Sequence, residues 1–256
     1  MWALAMAPAV LLRAAVALAG RFPALAGVDL VVAPGEVVVL EGANGAGKTS
    51  LLRACAGLLP VTQGDAVVLG CDLRRDRAGV RRLVGLLGHD ATLYDDLTVA
   101  ENVRFAVRAG VGGRDGRGRE VDARIVASLE RLGLTGRLAR TTAGRLSAGQ
   151  RRRTVLATLV ARRPQLWLLD EPHAAFDAEG RRVVDSVVRD AAAGGAAVIL
   201  ASHEHEVSSS LADRVVSMAG GRVVAHAATT PAAAVVTPAT AAQVGEPART
   251  GSGHVA

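Results

Sequence analysis

The segment Gly42-Ala43-Asn44-Gly45-Ala46-Gly47-Lys48-Thr49 follows the apolar run Val37-Val38-Val39-Leu40 and opens a helix expected from Lys48 to Cys55. It satisfies G-x-x-x-x-G-K-[ST] in the strand-then-helix setting that gives the pattern its meaning. Glycines let the backbone turn tightly enough for successive N–H groups to converge on phosphate oxygens, and the helix N-terminus adds partial positive charge. Gly42, Asn44, Gly45, Ala46 and Gly47, continuing through Lys48, Thr49 and Ser50, are therefore the expected cradle for a nucleotide's phosphates. Lys48 is expected to reach the β and γ phosphates, and the Thr49 hydroxyl to ligate Mg²⁺.

Downstream, Leu166-Trp167-Leu168-Leu169-Asp170-Glu171-Pro172 reads as a buried strand that delivers two carboxylates to its C-terminal end. Ligands of open α/β sheets bind at that end. Asp170 is placed to hold the hydration shell of the metal, while Glu171 is placed to accept a proton from an attacking water. A further apolar run, Ala197 to Ala201, lies beyond a helix expected near 180–193. Strands alternating with helices around a phosphate loop imply an α/β fold with a parallel sheet. Short β segments are expected upstream at Val10 to Val16 and Val28 to Val32.

Between the two motifs the pattern turns helical, with apolar residues at i, i+3, i+4 spacing over Val99 to Val107, Val121 to Leu132 and Ala148 to Ala161. Gly110 to Arg119, rich in Gly and Arg, is expected to be an exposed, mobile loop. Ser147 is placed to cap the third helix. The run Arg151-Arg152-Arg153 on that helix is expected to be a solvated face.

A chain of 256 residues accommodates one α/β domain, or that domain with a small added lobe. The net charge of +6 is scattered, and neither an RNA-binding aromatic motif nor a zinc-finger spacing accompanies it, so nucleic acid is not expected as a partner. Cys55 and Cys71 form neither a CxxC pair nor a secreted disulfide framework, and both are expected to be reduced thiols, Cys55 packed in a helix. Ala17-Leu18-Ala19-Gly20 has the look of a signal-peptidase site, yet the segment before it lacks a basic start and is interrupted by Pro8 and Arg13. Beyond about Ala225 the composition falls to Ala, Thr, Pro and Val, as in a disordered tail.

Leu146-Ser147-Ala148-Gly149-Gln150 resembles the signature sequence of ABC ATPases, with Ala148 where the commonest version has a second Gly. The resemblance implies a P-loop NTPase fold over residues 1–224: a RecA-like core with an antiparallel β subdomain and an inserted α-helical signature subdomain at about 88–161. Residues 225–256 would form the tail. It further implies ATP and Mg²⁺ as cofactors and a homodimer sandwiching two ATPs head to tail. In that arrangement Lys48, Thr49, Asp170, Glu171 and the switch histidine His203 serve one site, while Ser147, Gly149 and Gln150 complete the partner's. Ala174-Ala175-Phe176-Asp177 resembles the D-loop, with Ala174 where Ser or Thr is usual. The implied partners are integral membrane permease subunits, with this chain peripheral on the cytoplasmic face of the membrane.

His89, in Leu86-Leu87-Gly88-His89-Asp90, occupies the place where most ABC ATPases carry the Q-loop glutamine, a register fixed by Leu97-Thr98-Val99-Ala100-Glu101-Asn102 downstream. A neutral imidazole offers one acceptor and one donor, roughly as the Gln amide does, so a role beside Mg²⁺ and the attacking water carries over. With the variant signature and Trp167, this departure resembles the haem-exporter ATPase of cytochrome c maturation. The alternative within the family is an exporter for a drug, lipid or other small molecule. Two rivals are a soluble family member acting on nucleic acid, which would carry a long coiled coil or a tandem cassette, and a regulator that no longer hydrolyses, against which Glu171 and His203 stand. For the adenine ring the stacking candidate is Phe22, which reads equally as a core or turn Phe beside Pro23.

Overall fold

The computed structural model describes residues 7–110, 118–202 and 211–228. In chain order the strands are β1 (Val10–Ala19), β2 (Phe22–Val32), β3 (Val37–Glu41), β4 (Val61–Val68), β5 (Cys71–Asp72), β6 (Val84–Leu87), β7 (Leu166–Asp170), β8 (Ala197–Ala201), β9 (Arg214–Ala219) and β10 (Arg222–Ala228). The helices are α1 (Lys48–Cys55), α2 (Arg77–Leu83), α3 (Val99–Gly110), α4 (Arg119–Arg131), α5 (Gly136–Ala139), α6 (Ala148–Arg162) and α7 (Ala178–Ala193).

The apolar runs at β3, β7 and β8 cannot alternate inside and outside, so they lie where both faces are covered. They form the centre of a six-stranded sheet ordered β10-β9-β3-β8-β7-β6, parallel except for the terminal β10. Side chains leave opposite faces in turn. Leu40, Leu168 and Ile199 pack with Leu51 and Leu52 of α1 on one face, whereas Val39, Trp167, Leu169 and Leu200 pack toward α3, α4, α6 and α7 on the other. A second sheet, β2-β1-β4-β5, is antiparallel throughout and shares the first of these cores. Ala14 sits at positive φ beside a register shift in β1, and a Cβ on Gly64 opposite would overlap its carbonyl. This bulge bends the strand while keeping its apolar positions inward.

The helical segment from α3 to α6 forms a lobe built on α6, against which both α3 and α4 pack. Asn102 pins its entrance: its side-chain amide donates to the carbonyls of Tyr94, Leu97 and Thr98, and its oxygen accepts from the Tyr94 N–H at 2.8 Å. Strand β10 continues to Ala228, four residues past the boundary expected at Val224, because its antiparallel pairing with β9 runs through Ala228↔Arg214. The loop expected over Gly110 to Arg119 falls mainly on 111–117, outside the described residues, as does the expected tail from 229 onward. Among the described residues no helix is long and apolar enough to cross a membrane.

Candidate functional site

The phosphate-type loop connects β3 to α1, and its glycines are required by geometry. Gly42, Gly45 and Gly47 have φ of 143°, 80° and 105°, and a Cβ on Gly42 would overlap the Met218 carbonyl oxygen. Gly47 is the N-cap of α1 and no side chain caps that helix, so the first-turn N–H groups face the loop's concavity without a side-chain acceptor. Lys48 is buried, its ammonium donating to the carbonyls of Gly42 at 2.6 Å and Ala43 at 3.2 Å. The Thr49 hydroxyl donates to Oδ2 of Asp170 at 2.9 Å. Parallel pairing of β7 beside β8, and β8 beside β3, brings the two motifs together at the C-terminal ends of the central strands.

Gly45, Gly47, Lys48, Thr49 and Asp170 share a cavity of about 550 Å³ with Asn44, Ala46, Ser50, His89 and Glu171. Its oxygen donors, a hydroxyl and a carboxylate in contact, suit a hard cation that keeps most of its waters. The glycine cradle and the uncapped helix end suit a polyphosphate. The donor set and the cavity therefore fit a nucleotide with Mg²⁺.

Glu171 adopts a left-handed backbone, φ 49°, which costs a non-Gly residue on the order of 1–2 kcal/mol. Its N–H donates to Ala201 at 2.9 Å, and its carbonyl accepts from Ala174 at 3.1 Å. Ala175 is also left-handed, φ 66°, and Asp177 then caps α7 by accepting from Gly180 at 2.8 Å. A run of turn residues with left-handed backbone at Glu171 and Ala175 thus leads from the two carboxylates into α7.

Ser147 and Gln150 form a reciprocal capping box at the start of α6, the Gln150 oxygen accepting from the Ser147 N–H at 3.0 Å. Gly149 lies against the Ala175 carbonyl, which a Cβ would meet at 2.9 Å. Neither Ser147, Gly149 nor Gln150 lines the cavity that holds Lys48 and Glu171. Phe22 is 79% exposed at the start of β2, which excludes the core reading, and its neighbours Pro23 and Ala24 line the cavity. His203 lies outside the described residues; Ser202 before it is buried, its N–H donating to Leu40 at 3.1 Å.

The expectation of a solvated Arg151-Arg152-Arg153 face is corrected. Arg152 is 6% exposed and directs its guanidinium to the carbonyls of His89, Asp170 and Glu171 at 3.0, 2.8 and 2.6 Å. Arg151 pairs with Asp95 at 2.7 Å, and Arg153 lies over the Phe176 ring, 5.6 Å from its centroid. Arg152 and Leu156 stand four residues apart on the buried stripe of α6, so helical periodicity carried the signal that the charge run concealed. Gly220 and Gly221 were also missed. Their turn between β9 and β10 lines the cavity, and the Gly221 N–H donates to Ala46 at 2.9 Å.

The family model for ABC transporters matches residues 25–174. The cytochrome c biogenesis ATP-binding export protein of Bordetella bronchiseptica is 40% identical over 197 residues, 77% of this chain and 84% of that protein. The sulfate/thiosulfate import ATP-binding protein of Brucella melitensis is 35% identical over 204 residues, 79% of this chain but 56% of that one. In fold, the chain resembles a dimeric ATP-binding cassette solved in a post-hydrolysis state with ADP and Pi, at TM-score 0.78 and 24% identity over 86% of this chain and 99% of that one.

Proposed function

The chain belongs to the ABC transporter family as an ATP-binding subunit with ATPase activity coupled to transport, and from that premise we propose that it drives a haem exporter of the cytochrome c maturation type. The observation that carries the catalytic half of the reading is the single cavity shared by Lys48, Thr49, Asp170, Glu171 and His89. Support for the export half comes from the likeness to the cytochrome c biogenesis protein, which runs through 84% of that relative's length, against 56% for the sulfate importer. His89 at the Q-loop position points the same way.

In this reading the loop from Gly42 to Ser50 cradles the phosphates, and Lys48 exchanges its carbonyl partners for β and γ oxygens. Thr49, Asp170 and His89 would hold Mg²⁺ and its waters, and the ion would supply neutralisation of charge developing on the phosphate oxygens. Glu171 accepts the proton of the attacking water and His203 contacts the γ-phosphate. Ser147, Gly149 and Gln150, which lie off their own chain's cavity, close the site of a second copy in an ATP-bound homodimer. Phe22 stacks on the adenine. The working partners are integral membrane permease subunits, with this chain peripheral on the cytoplasmic face of the membrane.

The test is deletion of the gene in its native host, with haem staining of c-type cytochromes. Loss of covalently bound haem, restored by the wild-type gene and not by Glu171→Gln, is expected. Normal c-type cytochromes alongside impaired sulfate uptake would assign the chain to an importer instead.

A further inference from the structure

Arg152 stands where α6, the signature helix, meets the carboxylate end of β7, and it is buried among backbone carbonyls. One guanidinium nitrogen, Nη2, donates to the carbonyls of Asp170 and Glu171 at 2.8 and 2.6 Å, and Nη1 donates to that of His89 at 3.0 Å. Its Nε is buried with no hydrogen-bond partner. Burying a guanidinium with one donor unsatisfied is unfavourable, and a packed apolar side chain of that volume would avoid the cost. An arrangement kept against that cost needs a reason.

The reason lies in the backbone it grips. Glu171 is in the left-handed region at φ 49°, so the direction of its carboxylate depends on a conformation that the residue alone would not hold. A charge-assisted bond to its carbonyl opposes relaxation. The same planar group ties down His89, which also lines the cavity and follows β6, the strand paired beside β7, so the two residues are held in register by one rigid fork. We propose that Arg152 is the positioning residue of the hydrolytic site, setting the Glu171 and His89 backbones relative to each other from the first turns of the signature helix. Because Ser147 caps that same helix only five residues earlier in sequence, a shift of α6 on contact with a second copy is passed through Arg152 to this chain's own Glu171. This rests on the roles of Glu171 and His89 proposed above.

The experiment compares Arg152→Met, Arg152→Lys, Leu156→Ala, Glu171→Gln and wild type as full-length chains. It measures kcat and KM for Mg-ATP, equilibrium binding of a fluorescent ATP analogue, and Tm. Misplacement of a reacting group by an ångström costs about 10–100-fold, so Arg152→Met should lose about that much in kcat while nucleotide affinity stays within about threefold. Arg152→Lys should fall between, having charge without the fork. Leu156→Ala, a core truncation one turn along the same helix, should lower Tm at least as much while keeping kcat per folded chain. Wild-type kcat in Arg152→Met, or a loss matched by Leu156→Ala at equal Tm, overturns the positioning role. Normal turnover in Glu171→Gln instead brings down the site assignment on which the proposal stands.

Discussion

Thr49 and Asp170 lie 121 positions apart in sequence, and their side chains meet at 2.9 Å, hydroxyl to carboxylate, at the mouth of the parallel sheet. Strand order sets up their contact: β3 feeds the loop that leads into α1, whose second residue is Thr49, β8 intervenes, and β7 ends on Asp170. In the reading proposed above, two oxygen ligands so placed would hold a small, hard cation.

Replacing Asp170 by Asn keeps shape and hydrogen bonding while removing the charge. ATP affinity in the wild type should depend on Mg²⁺, and Asp170→Asn should lose most of that dependence, with turnover reduced roughly 100-fold. Titrations of a fluorescent ATP analogue with Mg²⁺ and with chelator compare the two. An Asn variant that retains the full Mg²⁺ effect removes Asp170 from the metal site.

His89 reaches the same cavity, and its carbonyl is held by Arg152. Its ring therefore has a fixed base, and what matters is the polar group it presents. His89→Gln should be mild and His89→Ala should lower turnover of the assembled transporter by roughly tenfold or more, with ATP affinity nearly unchanged. Equal rates for His89→Ala and wild type would make the residue incidental.

The two cysteines provide a check on packing independent of the chemistry. Cys55 is fully enclosed in α1, and burial pushes its thiol up to about 12, whereas Cys71 is partly exposed on the short β5. Reaction needs the thiolate, so at pH 8 a disulfide reagent should modify Cys71 readily and Cys55 only after unfolding. Two thiols reacting at one rate in the folded protein would contradict the buried position of α1.

Much of this was legible in the sequence because the relevant signals are local. The glycine pattern before Lys48, the unbroken apolar runs of β3, β7 and β8, and the Ser147–Gln150 capping box each specify their own conformation within a few residues. Arg152 was only half legible: its spacing from Leu156 placed it on the buried stripe of α6, but the carbonyls that receive its guanidinium come from segments 63 and 18 positions away, which nothing local announces. The Gly220-Gly221 turn is similar: two adjacent glycines announce a hairpin, but nothing local says that the hairpin folds onto Ala46. The left-handed turn at Glu171 is likewise imposed by its surroundings, because no glycine marks it.

If Glu171 activates the water in a site completed by a second copy of the chain, its removal changes both turnover and assembly, and ATPase rate and oligomeric state of Glu171→Gln with Mg-ATP read out both. Loss of a general base costs about 10²–10⁴-fold, so the variant should bind ATP, turn over more slowly by that order, and elute as a stable dimer that the wild type forms only transiently. A variant that hydrolyses ATP at the wild-type rate and stays monomeric would remove Glu171 from the role of base.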